Sequence, residues 1–389
     1  MTGSLNSTIV FVGHNATQTG APKSLLKIIS WFVESTDFKI IVILNNDGLL
    51  LPEYKQIAET HLWNTSGRVL KRVPVIRYLF NYWRQKNIIR KVKQLNPICI
   101  FNNTGVNGSL VKVLKIATSS IVVSRIPELE AFMRRNAQNG SVQATLKYSD
   151  YVIAVSESVK KNLISRHDYP DDKISVVYGA CDEKQYLKTN EFRKKIGATI
   201  DDTIICGCGT MDWRKGYDLF IQTAEMVCKR NKRLDIKFVW IGSPVTVETG
   251  IEYDYEIEFL DLNNNFFRSG AVDVPSEYFA SADAFFLSSR EDPFPLVMLE
   301  AARQALPIVC FENSGGAVEF VDERIGRIVP MLNINVVADT IIELANNKEI
   351  AVSKGLAAAM RSYDYTAERM CENIYSIIID VMGGEMEIK

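Results

Sequence analysis

A wholly apolar run, Ala284-Phe285-Phe286-Leu287, ends in two serines and then meets Pro293 and Pro295, and it constrains the fold of this chain more than any other stretch. Four consecutive apolar residues closed by a turn suit a strand buried on both faces, as in a parallel sheet covered by helices. Each proline pushes the residue before it out of the helical region, so Asp292 and Phe294 are extended and a helix begins only at about Pro295. The strand therefore feeds a stiff loop, and the loop feeds a helix N-terminus. There Leu296, Val297 and Met298 carry N–H groups with no acceptor inside the helix, an arrangement that attracts anions. Two carboxylates flank that end, Asp292 and Glu300, eight positions apart. Eight residues at about 100° each return to within about 80° of the starting direction, while the nine from Glu291 land on roughly the opposite face. Asp292 is accordingly read as the partner of Glu300, although the pair also reads as a helix cap and a solvated helix residue.

At 389 residues the chain exceeds one ordinary core and suits two domains of α/β size. Its 47% hydrophobic and 23% charged residues are those of a soluble globular protein. A net charge of −1 argues against nucleic acid as a partner, since proteins that bind it are generally basic. The seven cysteines are scattered, form no CxxC pair and lack a neighbouring histidine that would complete a zinc site, which points to a reducing, cytoplasmic compartment. Cys206 and Cys208 stand two apart on an apolar strand, share a face and read as core residues. The first seven residues have no basic region, and no run approaches the roughly 18 apolar residues that span a bilayer. The expectation is a cytoplasmic protein with neither signal peptide nor membrane span.

Residues 8–12 are apolar and β-rich, Gly13-His14-Asn15-Ala16-Thr17-Gln18-Thr19-Gly20-Ala21-Pro22 follows, and Leu25, Leu26, Ile28, Ile29 and Phe32 then recur at helical spacing. This is a strand, a glycine-bearing loop and a helix. Gly20 permits close approach of a ligand to backbone, and Pro22 suits a first helical turn. The loop matches neither a dinucleotide fingerprint nor a P-loop, and His14 reads as either catalytic or merely solvated. Apolar strands recur at Lys39–Leu44 and at residues 98–101, 121–124, 151–155 and 174–178. Residues 183–202 are charged and irregular, which places the domain linker there. The pattern restarts with Thr203–Cys208, the loop at 209–216 and the amphipathic stretch Tyr217–Arg230, followed by strands at Ile236–Ile241, Ala284–Leu287 and 307–311. Such alternation means parallel sheets covered by helices. A closing helix over 366–381 presents Met370, Ile374, Ile377, Ile378 and Val381.

The run Ser289-Arg290-Glu291-Asp292-Pro293-Phe294-Pro295-Leu296-Val297-Met298-Leu299-Glu300-Ala301 resembles the signature of the retaining GT-B glycosyltransferases of family 4, glycosyltransferase group 1. In that family two glutamates separated by seven residues bracket a nucleotide-sugar. Aligned on Phe294 and Leu296, the second glutamate is Glu300 and the first falls on Asp292, one methylene shorter. The resemblance is dense from about residue 203 to residue 330 and thin before Gly179. It implies an α/β GT-B fold, with two Rossmann-like domains facing each other across a cleft. Residues 1–182 would form the acceptor-side domain, residues 183–365 the nucleotide-sugar domain, and residues 366–389 a C-terminal helix packing back on the first.

The resemblance also implies a site. Gly209 and Lys215 match the spacing of the family's phosphate-binding segment, with Thr210 where arginine is usual and Arg214 beside Lys215. Lys215 and Arg214 would stabilise a departing diphosphate. Glu300 would hold the ribose hydroxyls, its two acceptor oxygens suiting a vicinal diol. Asp292, with the backbone of Phe294, Leu296 and Val297, would face the donor sugar or its phosphate, and Gly20 and Ala21 lie in a segment similar to the family's glycine-rich one. Asp292, Lys215 and Glu300 are thus the candidate catalytic residues. Pro127 stands where many relatives carry a histidine before a glutamate, which leaves Glu128 and His14 as candidates on the acceptor side. Pro295 replaces a common glycine. Gly315-Gly316 is either a second close approach or an ordinary turn. No DxD pair stands at a strand end, so neither a catalytic metal nor a cofactor is expected.

From residue 66 to residue 93 there is no acidic side chain, while Arg68, Lys71, Arg72, Arg77, Arg84, Lys86, Arg90, Lys91 and Lys93 alternate with Tyr78, Leu79, Phe80, Tyr82, Trp83, Ile88 and Ile89. Residues 68–93 read either as a helix on an anionic membrane surface or as an ordinary helix with its apolar side in the core. With the resemblance, the chain reads as a metal-independent, retaining glycosyltransferase. It would move a sugar from a nucleotide diphosphate sugar to a glycan acceptor, lipid-linked as in assembly of cell-surface polysaccharide or lipopolysaccharide. The alternatives are another GT-B enzyme, a phosphorylase or nucleotide-sugar epimerase, and a nucleotide-sugar binder that has lost turnover.

Overall fold

The computed structural model describes residues 7–64, 74–136, 140–181, 184–187, 190–231 and 235–383. The chain divides into two compact units, one of residues 1–179 with 367–389 and the other of residues 180–366. The first unit holds β1 (Thr8–Gly13), β2 (Lys39–Leu44), β3 (Glu59–Leu62), β4 (Cys99–Asn102), β5 (Ile121–Ile126), β6 (Tyr151–Ala154) and β7 (Ile174–Val176), in the order β3-β2-β1-β4-β5-β6-β7. The second holds β8 (Thr203–Cys208), β9 (Ile236–Ile241), β10 (Phe266–Gly270), β11 (Ala284–Leu287), β12 (Ile308–Phe311) and β13 (Gly326–Val329), in the order β10-β9-β8-β11-β12-β13. Neighbouring strands run parallel in both sheets.

Each sheet reverses its strand order once, between β1 and β4 in the first unit and between β8 and β11 in the second. Loops leave such a point in opposite directions and open a crevice at the carboxyl ends of the strands. The strands that flank it, β1, β8 and β11, are buried at every position, which is why they read as continuous apolar runs. The strands absent from the sequence reading are β3, β10 and β13, which lie at sheet edges and carry half-exposed or polar residues.

In the first unit Phe11 packs 5.2 Å from Phe32 and 5.3 Å from Phe101. The C-terminal helix Ala367–Val381 belongs to this unit: Trp31 and Phe32 pack 5.9 and 6.0 Å from Tyr375. In the second unit Phe220 joins the two sides of the crevice, 5.2 Å from Trp240 on β9 and stacked 5.9 Å from Phe286 on β11. The segment read as a linker is part of this unit. Its helix Asn190–Lys195 turns Arg193 inward, where the guanidinium bonds the carbonyls of Thr199 and Ser281 and the carboxylate of Asp283. A charged stretch reads as solvated chain unless its cation is known to have buried acceptors.

Candidate functional site

The second unit assembles its site from the loops that follow β8, β11 and β12. After Cys208 the backbone turns through Gly209, at φ +146°, where a Cβ would stand 2.9 Å from Cδ of Lys215. The stem of Lys215 lies over the bare backbone of Gly209, and Nε1 of Trp240 donates to the Gly209 carbonyl at 2.9 Å. Asp212 Oδ1 accepts from the Lys215 N–H at 2.8 Å and so shapes the turn that leads into helix Tyr217–Arg230. Gly216, at φ +67°, has no room for a Cβ, which would fall 2.0 Å from the Ser288 carbonyl oxygen. The helix start is therefore pressed against the end of β11, and Ser288 Oγ donates to the Lys215 carbonyl at 3.0 Å.

A second set of bonds zips the two loops together. The Arg290 N–H donates to the Arg214 carbonyl at 2.8 Å, and Arg214 Nη1 donates to the Glu291 carbonyl at 3.0 Å. Arg290 also grips both carboxylate oxygens of Asp218, at 2.7 and 2.6 Å. The third loop joins at Asp292, whose N–H donates to Ser314 and whose carbonyl accepts from Gly316. Gly315, at φ +121°, is thus part of a loop-to-loop bridge rather than an isolated turn.

These contacts bring Lys215, Arg214 and Asp292 together. Asp292 is 5% exposed, with its Oδ2 2.6 Å from Lys215 Nζ and 3.7 Å from Arg214 Nη1. The Asp292 carboxylate thus faces two cations. Glu300 is half-buried on helix Leu296–Arg303, close enough for its charge to act on Cys208. Burial pushes the Cys208 thiol up to about 12, Glu300 adds to the rise and Lys215 opposes it, so all three share one neighbourhood. Leu296 and Val297 occupy the first helical turn, where N–H groups precede any intrahelical acceptor. The Phe294 ring is buried and stacked 5.6 Å from Tyr365, so it anchors the loop and offers no wall to a ligand. Among the described residues no three histidine, cysteine or acidic side chains converge as a metal site would need.

The first unit has its own polar cluster at the β1/β4 crevice. His14 is exposed, with Nδ1 3.5 Å from Asn107 Oδ1. Gly20 and Ala21 open helix Gly20–Ser35, which has no side-chain cap and no acidic residue in its first turn. The sequence reading missed Asn103, Asn107 and Arg125, whose signal is a polar run, Asn102-Asn103-Thr104, directly after a buried strand and an arginine inside an apolar one. That strand, β5, continues through Arg125 to Ile126, beyond the expected end at residue 124. Glu128 is buried, and its carboxylate accepts from the Thr104 hydroxyl and, at 2.9 Å, from the Gly105 N–H.

Burial raises the Glu128 carboxyl to about 7, against the opposing pull of Thr104, Gly105 and Arg125. Because the folded value lies above the unfolded one, the fold favours the protonated form. This contribution to stability is fully present below about pH 4.5 and is lost as pH rises towards 7. Glu128→Gln, which cannot ionise, should gain on the wild type across that window by up to about 3 kcal/mol. Denaturant melts at pH 4.5 and pH 8 check this, and a difference between the two proteins that is constant with pH would refute it.

Of the basic segment, Arg68, Lys71 and Arg72 lie outside the described residues, and of Arg77 only the backbone is described. Helix Pro74–Leu95 turns Ile88 and Val92 into the core but leaves Tyr78 71% and Trp83 65% exposed, with Leu79, Phe80 and Tyr82 also exposed. A cavity of about 390 Å³ opens between this helix and His61, lined by Phe80, Trp83, Arg84 and Lys91. Lys91 is paired with Glu59, whereas Arg84 has no acidic partner among the described residues.

Residues 188–363 match the family model described as glycosyl transferases group 1. An uncharacterized glycosyltransferase of Methanocaldococcus jannaschii is 25% identical over 251 residues, 60% of this chain and 61% of that protein. A capsular polysaccharide biosynthesis glycosyltransferase of Staphylococcus aureus is 26% identical over 210 residues, 52% of this chain and 54% of that protein. The matched stretch thus spans between half and about three-fifths of the length of these curated relatives. Among solved structures, the Anabaena protein HepE in complex with UDP superposes with a TM-score of 0.78 at 17% identity, over 95% of this chain and 99% of that one, which shows a shared fold.

Proposed function

We propose that this chain, which has the GT-B fold and matches the glycosyl transferases group 1 over residues 188–363, moves a sugar from a nucleotide diphosphate sugar to a glycan acceptor. The observation that carries the reading is the cluster of Lys215, Arg214 and Asp292 at the β8/β11 switch point, beside Glu300 and the first turn of helix Leu296–Arg303. Two cations and unpartnered N–H groups are what a departing diphosphate needs, and they meet that need without a metal. Glu300 accepts from the ribose diol. The acceptor oxygen bonds to the anomeric carbon on the face from which the phosphate oxygen leaves, and its proton passes to that leaving phosphate. Configuration is retained and no covalent enzyme intermediate forms. The capsular-polysaccharide relative supports a cell-surface glycan as product.

Thermal shift against nucleoside diphosphates and their sugars tests the donor site, with UDP first because the structural neighbour binds it. A ligand at about 100 times its dissociation constant adds roughly 2.7 kcal/mol to stability. If no nucleotide raises the melting midpoint, the donor site lies elsewhere; nucleotide binding without donor turnover favours the binder.

The exposed aromatic turn of helix Pro74–Leu95 supports a lipid-linked acceptor, reached at an anionic membrane surface. Arg84, Arg90 and Lys93 then contribute about 1 kcal/mol each to vesicle binding, while Lys91, already paired with Glu59, contributes less. Charge reversal at those three should abolish binding to anionic vesicles in a flotation assay. Binding that survives the reversal, or is equal on neutral vesicles, removes the membrane contact.

A further inference from the structure

Arg125 points inward from β5 and is 3% exposed, yet no carboxylate among the described residues lies within ion-pair distance of it. Its Nη1 donates to Asn103 Oδ1 at 3.1 Å, its Nη2 reaches only Met370 Sδ at 4.0 Å, and its Nε has no partner. A buried cation that feels Glu128 only at a distance, with no carboxylate against it, is costly where an apolar side chain would pack as well, so its presence calls for a reason. The bond to Asn103 supplies one. Arginine has donors only, so the amide of Asn103 must turn its oxygen towards Arg125, and its Nδ2 is thereby aimed the other way. There it donates to the carbonyl of Ala21 at 3.0 Å. The next two residues of the same loop, Thr104 and Gly105, are held by Glu128. The loop after β4 is thus clamped from β5 on one side and grips the start of helix Gly20–Ser35 on the other.

We infer that Arg125 is a positioning residue for the proposed transfer: by fixing the polarity of the Asn103 amide it sets the Ala21 carbonyl, and with it the first turn of helix Gly20–Ser35, at the β1/β4 crevice. This rests on the transferase reading and adds to it a residue that touches no substrate. It also explains why an arginine stands in an otherwise apolar strand. With a methionine at 125 the Asn103 amide is free to turn over, and two carbonyl oxygens then face each other beside Ala21. A geometric error of this kind lowers turnover without changing what unit 2 binds.

The test is a double-mutant cycle of Arg125→Met and Asn103→Ala, read as kcat and KM for donor turnover alongside UDP affinity and melting midpoint. Each single change should lower kcat by about tenfold to a hundredfold. The double variant should be no worse than the poorer single, because Arg125 acts through Asn103, and UDP affinity should stay within about twofold of wild type. Wild-type kcat in Arg125→Met overturns the inference, as do losses that add. Should Arg125→Met fail to fold, Asn103→Asp keeps an acceptor for the arginine, now a charged one, and removes the donor to Ala21. Loss of kcat at an unchanged melting midpoint then supports the inference, and wild-type kcat overturns it. A wild type that turns over no donor fails the transferase reading, whereas an active wild type with unaffected variants fails this inference alone.

Discussion

Lys215→Ala is expected to lower turnover by about 10²- to 10³-fold while weakening nucleoside diphosphate binding far less. The diphosphate gains negative charge as the glycosidic bond breaks, so a cation held against it contributes more in the transition state than in the ground state. The contacts of Lys215 suit the proposed role: Gly209 leaves room for its stem, Asp212 and Ser288 fix its backbone, and Asp292 holds its ammonium. The tip is thus preorganised before any ligand arrives. The partition between kcat and KM decides the role, because loss of uniform binding raises KM and leaves kcat alone. Steady-state kinetics showing full kcat with only a raised KM would assign Lys215 to binding. Arg214, 3.7 Å from the same carboxylate, covers part of the loss, so the Arg214→Ala/Lys215→Ala double variant should fall further.

The architecture was legible because its central strands are buried on both faces. Runs such as Ala284–Leu287 and Thr203–Cys208 have no amphipathic alternative, and the helix Tyr217–Arg230 follows with the same bounds in sequence and structure. Edge strands carry no such signal: Glu59-Thr60-His61-Leu62 is a strand only because β2 is there to pair with it. Of the candidate site, the sequence names Lys215, Arg214 and Asp292, which the structure brings together, but not their contacts. Pro293, Pro295 and Lys215 announce a stiff loop and a cation at two helix starts. That Asp292 faces Lys215 depends on how three loops bond to one another through Ser288, Arg290 and Gly316, none of which are near in sequence to all the others. The same limit hid Arg125, whose meaning lies in an asparagine 22 residues away.

Asp292→Asn should separate two roles of one carboxylate, the counter-ion that the contacts show and the donor-facing group proposed above. Without a ligand, Asp292 is the counter-ion of Lys215, both largely buried. Removing its charge while keeping its shape leaves Lys215 and Arg214 facing each other without an anion, and breaking a buried pair in this way costs about 3–5 kcal/mol. A nucleoside diphosphate restores the missing negative charge, so it should stabilise Asp292→Asn more than the wild type, since a ligand stabilises in proportion to its affinity for the folded state. Transfer should nevertheless fall, because the carboxylate proposed to face the donor sugar is gone. The expected outcome is therefore a lower melting midpoint without nucleotide, a larger rise on adding UDP and a slower reaction. Replacing both partners with apolar residues, as in Lys215→Met/Asp292→Leu, should recover most of the stability and none of the activity, because the closest pair is then removed whole and only Arg214, half-buried and bonded to the Glu291 carbonyl, lacks its anion. A UDP-induced rise smaller in Asp292→Asn than in the wild type would mean that Asp292 does not compete with the diphosphate for Lys215, and the cluster would then be a structural ion pair.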